Sequence, residues 1–245
     1  EDQHSEVNPI SLIRQKKSLI MTDSSESGIR RITNFQWDYT MRAAEKLAKK
    51  KPKVHERSLF VLTIMYTMYV RVSDLAEYKD TIPMMTNFFR DDSGWWFKAR
   101  GKGNKQRRIS VSDETLEALK RYRRSMGLTP LPTPADKDYL FPVLRAGKKP
   151  YLSTTKQFQR MVKPIFELAY IDMVSEGLED EASELKAASA HWLRHTGISE
   201  DVKIRPREHV RDDAGHSSLQ TTDKYIDTDN RERYASNKHK QILSE

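Results

Sequence analysis

The 245-residue chain contains no cysteine, which excludes disulfides, thiolate metal sites and sulfur redox chemistry and fits a reducing cytosol. Its longest apolar run, Leu59 to Val70, is broken by two threonines and is too short to cross a bilayer. The N-terminal Glu1-Asp2-Gln3-His4 has no signal-peptide character, so no membrane partner is expected. The chain starts at Glu1 rather than Met, and the expectation is a processed or partial chain. There is no internal repeat. No Gly-x-x-x-x-Gly-Lys-Ser/Thr can be written anywhere near its glycine-flanked lysine, which removes the phosphate-binding nucleotide loop.

What the chain has in excess is positive charge. Lysine and arginine number 43 against 35 acidic residues, a formal net charge of +8, and the sequence pI is near 9.4. Such a balance favours polyanions, nucleic acid the commonest among them, although ribosomal, heparin-binding and merely well-solvated proteins share it. The composition, 37% hydrophobic and 32% charged, is that of a globular protein with one substantial core or two small ones.

Polar residues 1–33, with Asn8-Pro9 and the run from Thr22 to Gly28, read as an extended linker. Helical spacing covers 34–50, with Lys49 to Lys51 suited to a helix C-terminus before Pro52, and a second helix over 55–70 is apolar nearly all round, which marks it as central. Trp95 to Arg100 and Gln106 to Val111 read as strands of a hairpin whose turn holds Gly101-Lys102-Gly103-Asn104. Ser112 or Asp113 caps the next helix, which stops at Gly127. After prolines 130, 132 and 134 come a short strand over 139–142, a helix over 153–169 and an acidic segment over 175–190 of helical character. Short helices follow at 191–199, 205–214 and 221–227, then a charged tail over 231–245. The fold class expected is α+β, mainly α-helical, with a small antiparallel sheet.

Several side chains invite chemistry, each with a plain alternative. Arg71 ends the central helix, and a guanidinium there can fork a phosphate while Asp74 orients it; an Arg three residues from an Asp is equally a helix ion pair. Lys102, between glycines, either meets a phosphate backbone or decorates a solvated turn. His191 and His195 have the spacing of a zinc pair, but Trp192 stands where a metalloprotease needs its glutamate, so no metal is expected. His191 and Arg194 share a helix face and can address one phosphate, while His195 reads as a packing residue. His216 after Gly215, and Tyr225, each have an ordinary reading as a surface histidine and an interface anchor.

Four segments taken together resemble the catalytic domain of the tyrosine recombinases, the phage integrase family: Arg71-Val72-Ser73-Asp74-Leu75, Gly101-Lys102-Gly103-Asn104-Lys105, His191-Trp192-Leu193-Arg194-His195-Thr196, and the run from Gly215-His216 to Lys224-Tyr225. The resemblance covers about 34–230. It implies Arg71, Lys102, His191, Arg194 and His216 as catalytic residues, Tyr225 as nucleophile and Asp74 as supporting carboxylate. It further implies a 3′-phosphotyrosyl intermediate, no cofactor, metal or ATP, double-stranded DNA as substrate, and a tetramer joining two duplexes, with accessory DNA-bending proteins and a tail exchanged between protomers as additional expectations. Lys98, Arg100, Lys105, Arg107, Arg108 and Arg160 are the expected DNA-binding cations. The location implied is cytoplasmic and nucleoid-associated, in a bacterium, phage or mobile element, with integration, excision, transposition and chromosome resolution all open. A DNA-binding domain would precede residue 1. A type IB topoisomerase, or a regulator that kept the fold without the chemistry, are the alternatives. Two departures stand out: Tyr69-Val70 replaces the small glycine that often precedes the first arginine, and Arg211-Asp212-Asp213-Ala214 is less apolar than usual.

Overall fold

The computed structural model describes residues 30–79, 81–100, 106–144 and 147–226. The linker residues before 30, Lys102 and Lys105 of the hairpin turn, and the tail over 231–245 lie outside the described residues.

The frame is helical. Helix α1 (Asn34–Lys50) begins with a reciprocal cap, in which the Gln36 N–H donates to Thr33 Oγ1 at 3.1 Å and the Thr33 N–H donates to Gln36 Oε1 at 2.9 Å. Ile32 is buried, and its N–H donates to Thr196 Oγ1 at 3.1 Å. Packing therefore begins two residues inside the segment that composition assigns to the linker. Helix α2 (Pro52–Thr67) starts with proline at its first turn, three residues earlier than periodicity suggests, because proline's fixed φ suits a position whose N–H has no helical partner. Its buried face runs from Ser58 to Met65. The chain then reverses through Tyr69, a non-glycine residue at φ 50°, into the short α3 (Val72–Leu75). Arg71 thus caps a new helix rather than ending the old one.

A 3₁₀ turn (Met85–Asn87) leads into a three-stranded antiparallel sheet: β1 (Phe88–Asp91), β2 (Gly94–Arg100) and β3 (Gln106–Ser110), in the order β1-β2-β3. Strand β1 has no counterpart in the sequence reading, because Phe88-Phe89-Arg90-Asp91 is too short to show alternation. In the β2–β3 register Phe97 faces Ile109, Lys98 faces Arg108 and Ala99 faces Arg107. The period of two puts Phe97, Ala99 and Ile109 inward and sends Lys98 and Arg108 to solvent.

Helix α4 (Asp113–Ser125), capped by Ser112, packs on α2. The expected strand over 139–142 is reduced to isolated bridges, Met84 with Tyr139 and Pro142 with Tyr151. Helix α5 (Thr155–Ser175) continues past the expected end and through Pro164, whose missing N–H falls on the exposed turn at Arg160. The acidic stretch divides into α6 (Glu179–Ala182) and a 3₁₀ turn (Ser183–Lys186). Then come α7 (Ala190–Asp201), α8 (Arg207–Ala214) and α9 (Leu219–Asp223). Helix α7 lies against α2 so closely that a side chain at Gly197 would run into the Tyr66 carbonyl. One apolar core joins α1, α2, α4, α5, the sheet and the start of α7. A second, small cluster of Tyr69, Ile198, Val210, Ala214 and Tyr225 sits beneath α8 and α9.

Candidate active site

Three guanidiniums converge where α3, α7 and β3 meet. Arg194 extends from α7 and is 2% exposed. Its Nη1 donates to the Tyr69 carbonyl, and its Nη2 donates to the Ala214 carbonyl at 2.8 Å and to His216 Nε2 at 3.1 Å. Burial first, and then Arg71 and Arg107, disfavour its charge and lower its pKa. Arg71 donates from Nη2 to the Gly215 carbonyl at 3.2 Å, and its pKa is likewise lowered by burial and then by Arg107. A site whose cations destabilise one another is a site that an anion stabilises.

The third cation, Arg107, is where sequence reading and structure part. It shares the inward face of β3 with Ile109 and makes a 2.6 Å ion pair with Asp74, whose side chain is fully buried. Its Nε donates to the Asp213 carbonyl at 3.2 Å. Asp74 meanwhile accepts the Arg71 backbone N–H at 2.7 Å. The carboxylate therefore orients Arg71 through its main chain, and its charge partner is Arg107 instead of the Arg71 guanidinium. Alternation back from Ile109 was the signal that could have moved Arg107 from the DNA-facing set to the interior. Of the other expected DNA cations, Lys98 and Arg160 are exposed. Arg100 is engaged by Thr81 Oγ1. Arg108 pairs with Asp91 and lies 4.5 Å from the Trp96 ring centroid.

The αL conformation of Gly215, φ 66°, closes α8: its own N–H reaches the Asp212 carbonyl and the His216 N–H reaches the Arg211 carbonyl. This reversal brings His216 back toward Arg194. Because a guanidinium only donates, the contact makes Nε2 an acceptor, so Nδ1 carries the hydrogen and donates to Thr222 Oγ1 at 2.9 Å. Burial, followed by Arg194, Arg71 and Arg107, lowers the His216 pKa to about 4.

Tyr225, just beyond α9, is 6% exposed. Its ring stacks on His216 at 5.8 Å and on His195 at 5.5 Å, and its hydroxyl lies 2.6 Å from His195 Nδ1. Burial raises the phenol's pKa, against the opposing pull of Arg194 and Arg71. His191 is open to solvent on one side; the protein around the rest of its ring, then Arg194 and Arg71, lower its pKa. It meets His195 edge-to-face at 4.3 Å. The expectation that His195 merely packs is thus revised: it touches the phenol. The helical spacing of four from His191 is the hint that the sequence offers. Among the described residues no group of three His, Cys, Asp or Glu side chains is placed to hold a metal ion.

Both sequence departures have a structural answer. Tyr69 occupies the left-handed region that a glycine would take without strain, and it is held there from both ends. Its carbonyl receives Arg194, while its hydroxyl donates to Asp201 and accepts from Arg205 at 2.8 Å. Asp213 is buried and links α8 to β3, accepting from the Ser110 N–H at 3.0 Å, from Ser110 Oγ at 2.6 Å and from Arg205 at 2.7 Å. Asp212 faces outward and pairs with Arg211.

A cluster of arginines with a buried phenol beside it, set in a mainly helical domain with a small three-stranded sheet, defines a class: the catalytic-domain fold of the tyrosine recombinases. The family model for the phage integrase family matches residues 30–232, and the chain belongs to that family. A curated relative, the tyrosine recombinase XerC of Chlorobaculum parvum (strain DSM 263 / NCIMB 8327), is 29% identical over 184 residues, 72% of this chain and 48% of the relative. Among solved structures, XerH site-specific recombinase bound to its difH substrate is similar with a TM-score of 0.57 at 20% identity, covering 86% of this chain and 54% of that one. XerA recombinase follows with 0.56 at 18% identity, covering 95% and 74%. The Tn1549 transposon integrase gives 0.55 at 17%, covering 90% and 68%. The chain spans about half the length of the curated relative. Among the described residues no helix is long and apolar enough to cross a membrane.

Proposed function

We propose that this chain carries the chemistry of a site-specific DNA recombinase, cleaving and rejoining DNA strands through a 3′-phosphotyrosyl intermediate. The observation that carries the reading is the convergence of Arg71, Arg194, His216 and Tyr225, far apart in sequence, on one cation-rich site. A phenol with a reference pKa near ~10 is a poor nucleophile at neutral pH until it loses its proton. The Tyr225 oxygen attacks the scissile phosphorus. Arg71 and Arg194 neutralise the non-bridging oxygens as charge accumulates there, and donors fixed in advance contribute on the order of 3 kcal/mol each. His216, whose Nε2 accepts from Arg194, acts on the phosphate by aiming that guanidinium. By family resemblance Lys102 protonates the departing 5′-oxygen and His191 takes part in proton transfer. The phosphotyrosyl ester conserves the bond energy, so rejoining needs no nucleotide triphosphate, and three guanidiniums facing one carboxylate supply the charge that a metal ion would otherwise bring.

Double-stranded DNA is the proposed partner, with the exposed Lys98 and Arg160 in contact with its backbone and assembly on two duplexes in the cell's nucleoid. Relaxation of supercoils by a monomer is the lesser reading, and capture of two duplexes in one complex separates the two. Denaturing the intact chain on fragmented genomic DNA and sequencing what stays covalently attached gives the site and the polarity of cleavage. A Tyr225→Phe variant is expected to bind the same DNA and leave no covalent product. An adduct that survives that change removes Tyr225 as nucleophile.

A further inference from the structure

The phenol proton has to go somewhere, and the structure assigns it to His195: we propose that Nδ1 of His195 is the base that takes the Tyr225 proton as the hydroxyl attacks phosphorus. The proposal rests on the strand-cleavage reading above and adds a residue that neither the motif nor the sequence reading gave a chemical role. Its basis is geometric. His195 Nδ1 lies 2.6 Å from the Tyr225 hydroxyl, the described hydrogen bonds join that hydroxyl to no other side chain, and the two rings are stacked 5.5 Å apart. His195 is fixed by its helix, since α7 is buried on most of its faces, and Tyr225 is seated against that helix in the small apolar cluster with Ile198. A general base must lie within hydrogen-bond reach of the proton it takes, and this one does.

The charges around His195 fit the task. On its own helix it faces His191, edge-to-face at 4.3 Å, and Arg194; from the loop after α8 it faces His216; from beyond α9 it faces Tyr225. Burial and then His191, Arg194 and His216 lower its pKa to about 4, so at neutral pH the imidazole is uncharged and holds a free lone pair. Seated against the arginines, a phosphodiester anion offsets the field that suppresses His195 basicity, so the base strengthens when substrate is in place. In the step itself the Tyr225 O–H bond breaks, its proton passes to His195 Nδ1, the tyrosyl O–P bond forms and the P–O5′ bond breaks, with the departing oxygen protonated by the general acid. Rejoining runs the same transfers backward, and His195 returns the proton to the phenol.

The test uses a nicked duplex carrying the site recovered by covalent trapping, with single-turnover formation of the Tyr225 adduct as readout. The wild-type rate is expected to be flat between about pH 6 and 8. In His195→Ala it should fall by about 10²–10⁴-fold at pH 7, rise tenfold per pH unit and recover in part with added imidazole. His195→Asn keeps an acceptor oxygen near the Nδ1 position without its basicity and is expected to stay slow, so it covers the case of an alanine variant that folds poorly. Replacing the bridging 5′-oxygen by sulfur removes the need for leaving-group protonation, and is expected to relieve Lys102→Ala while leaving the His195 defect in place. A His195→Ala rate with the wild-type pH profile, a wild-type rate in His195→Asn, or rescue of His195 variants by the sulfur substrate would each overturn the proposal. Absence of any adduct from the wild-type chain instead removes the strand-cleavage reading itself.

Discussion

The two halves of the site are held in different ways. Arg71 and Arg194 hang from a frame of α1, α2, α5 and α7 with a continuous apolar core, in which Phe60, Val61, Leu62, Ile64 and Met65 are all at most 1% exposed. His216 and Tyr225 stand on α8 and α9, whose apolar support is a cluster of five buried residues. The second half relies on polar links instead: Asp213 to Ser110 and Arg205, Arg107 to the Asp213 carbonyl, Arg194 to the Ala214 carbonyl. Regions held by few apolar contacts open at lower free energy than the core. Arg71 and Arg194 are thus preset on the rigid part, whereas Tyr225, the proposed nucleophile, rides on the part best able to shift.

The change that strikes this arrangement hardest is Arg107→Ala. It leaves the Asp74 carboxylate buried without its ion-pair partner and cuts the link from β3 to α8. Breaking a buried pair from one side costs about 3–5 kcal/mol. Chemical denaturation should register that loss, and hydrogen exchange should show α8 and α9 opening before α1 and α2. Uniform loss of protection over all helices would remove the distinction between the halves.

Gly197→Ala addresses the frame itself. A methyl group there meets the Tyr66 backbone carbonyl, which cannot move without separating α2 from α7. Overpacking of this kind costs about 1–3 kcal/mol, and for a domain of this size each kcal/mol lowers Tm by about 2–4 °C. The expected result is a cooperative loss of Tm, in contrast to the local opening of Arg107→Ala.

Acid provides a milder separation. His195 and His216 have pKa values lowered to about 4 in the folded chain, against about 6.5 when unfolded. Between those values the unfolded chain binds more protons, so stability rises with pH in that window. The contribution is complete above about pH 6.5 and lost as pH falls toward 4. Exchange at α7 to α9 should therefore accelerate from pH 6.5 to 4.5, once corrected for intrinsic chemistry, while the α1–α2 core changes little. His195→Asn should blunt the effect.

The same division marks what could be read in the sequence. Helices α1, α2 and α4 are legible through apolar spacing and caps, and the proposed site residues Arg71, His191, Arg194, His216 and Tyr225 through motifs in which local spacing is itself the signal. What escaped reading were the long-range partnerships. Arg107 looked like one more surface cation because Asp74 is 33 residues away, and the Asp213 tie to Ser110 spans 103. Tyr69 looked like a loss of glycine. Its tolerance of a positive φ depends on Asp201 and Arg205, more than 130 positions on. Helical periodicity placed His195 near His191, but only the return of the chain beyond α9 brings a phenol to it.

The smallest effect expected is at Arg121, whose guanidinium bridges Glu45 at 2.5 Å and Glu56 at 2.8 Å across α1, α2 and α4. These hydrogen bonds raise its pKa well above the ordinary arginine value despite partial burial. Yet the arginine side chain is 40% exposed, and water screens most of what its two carboxylates contribute. Arg121→Ala should therefore cost at most about 1 kcal/mol, an amount that shrinks in high salt. The frame should hold because its apolar core is untouched. A loss as large as that of Arg107→Ala would mean that ion pairs, and not apolar burial, secure the rigid half. The contrast between the halves would then rest on the placement of charge alone.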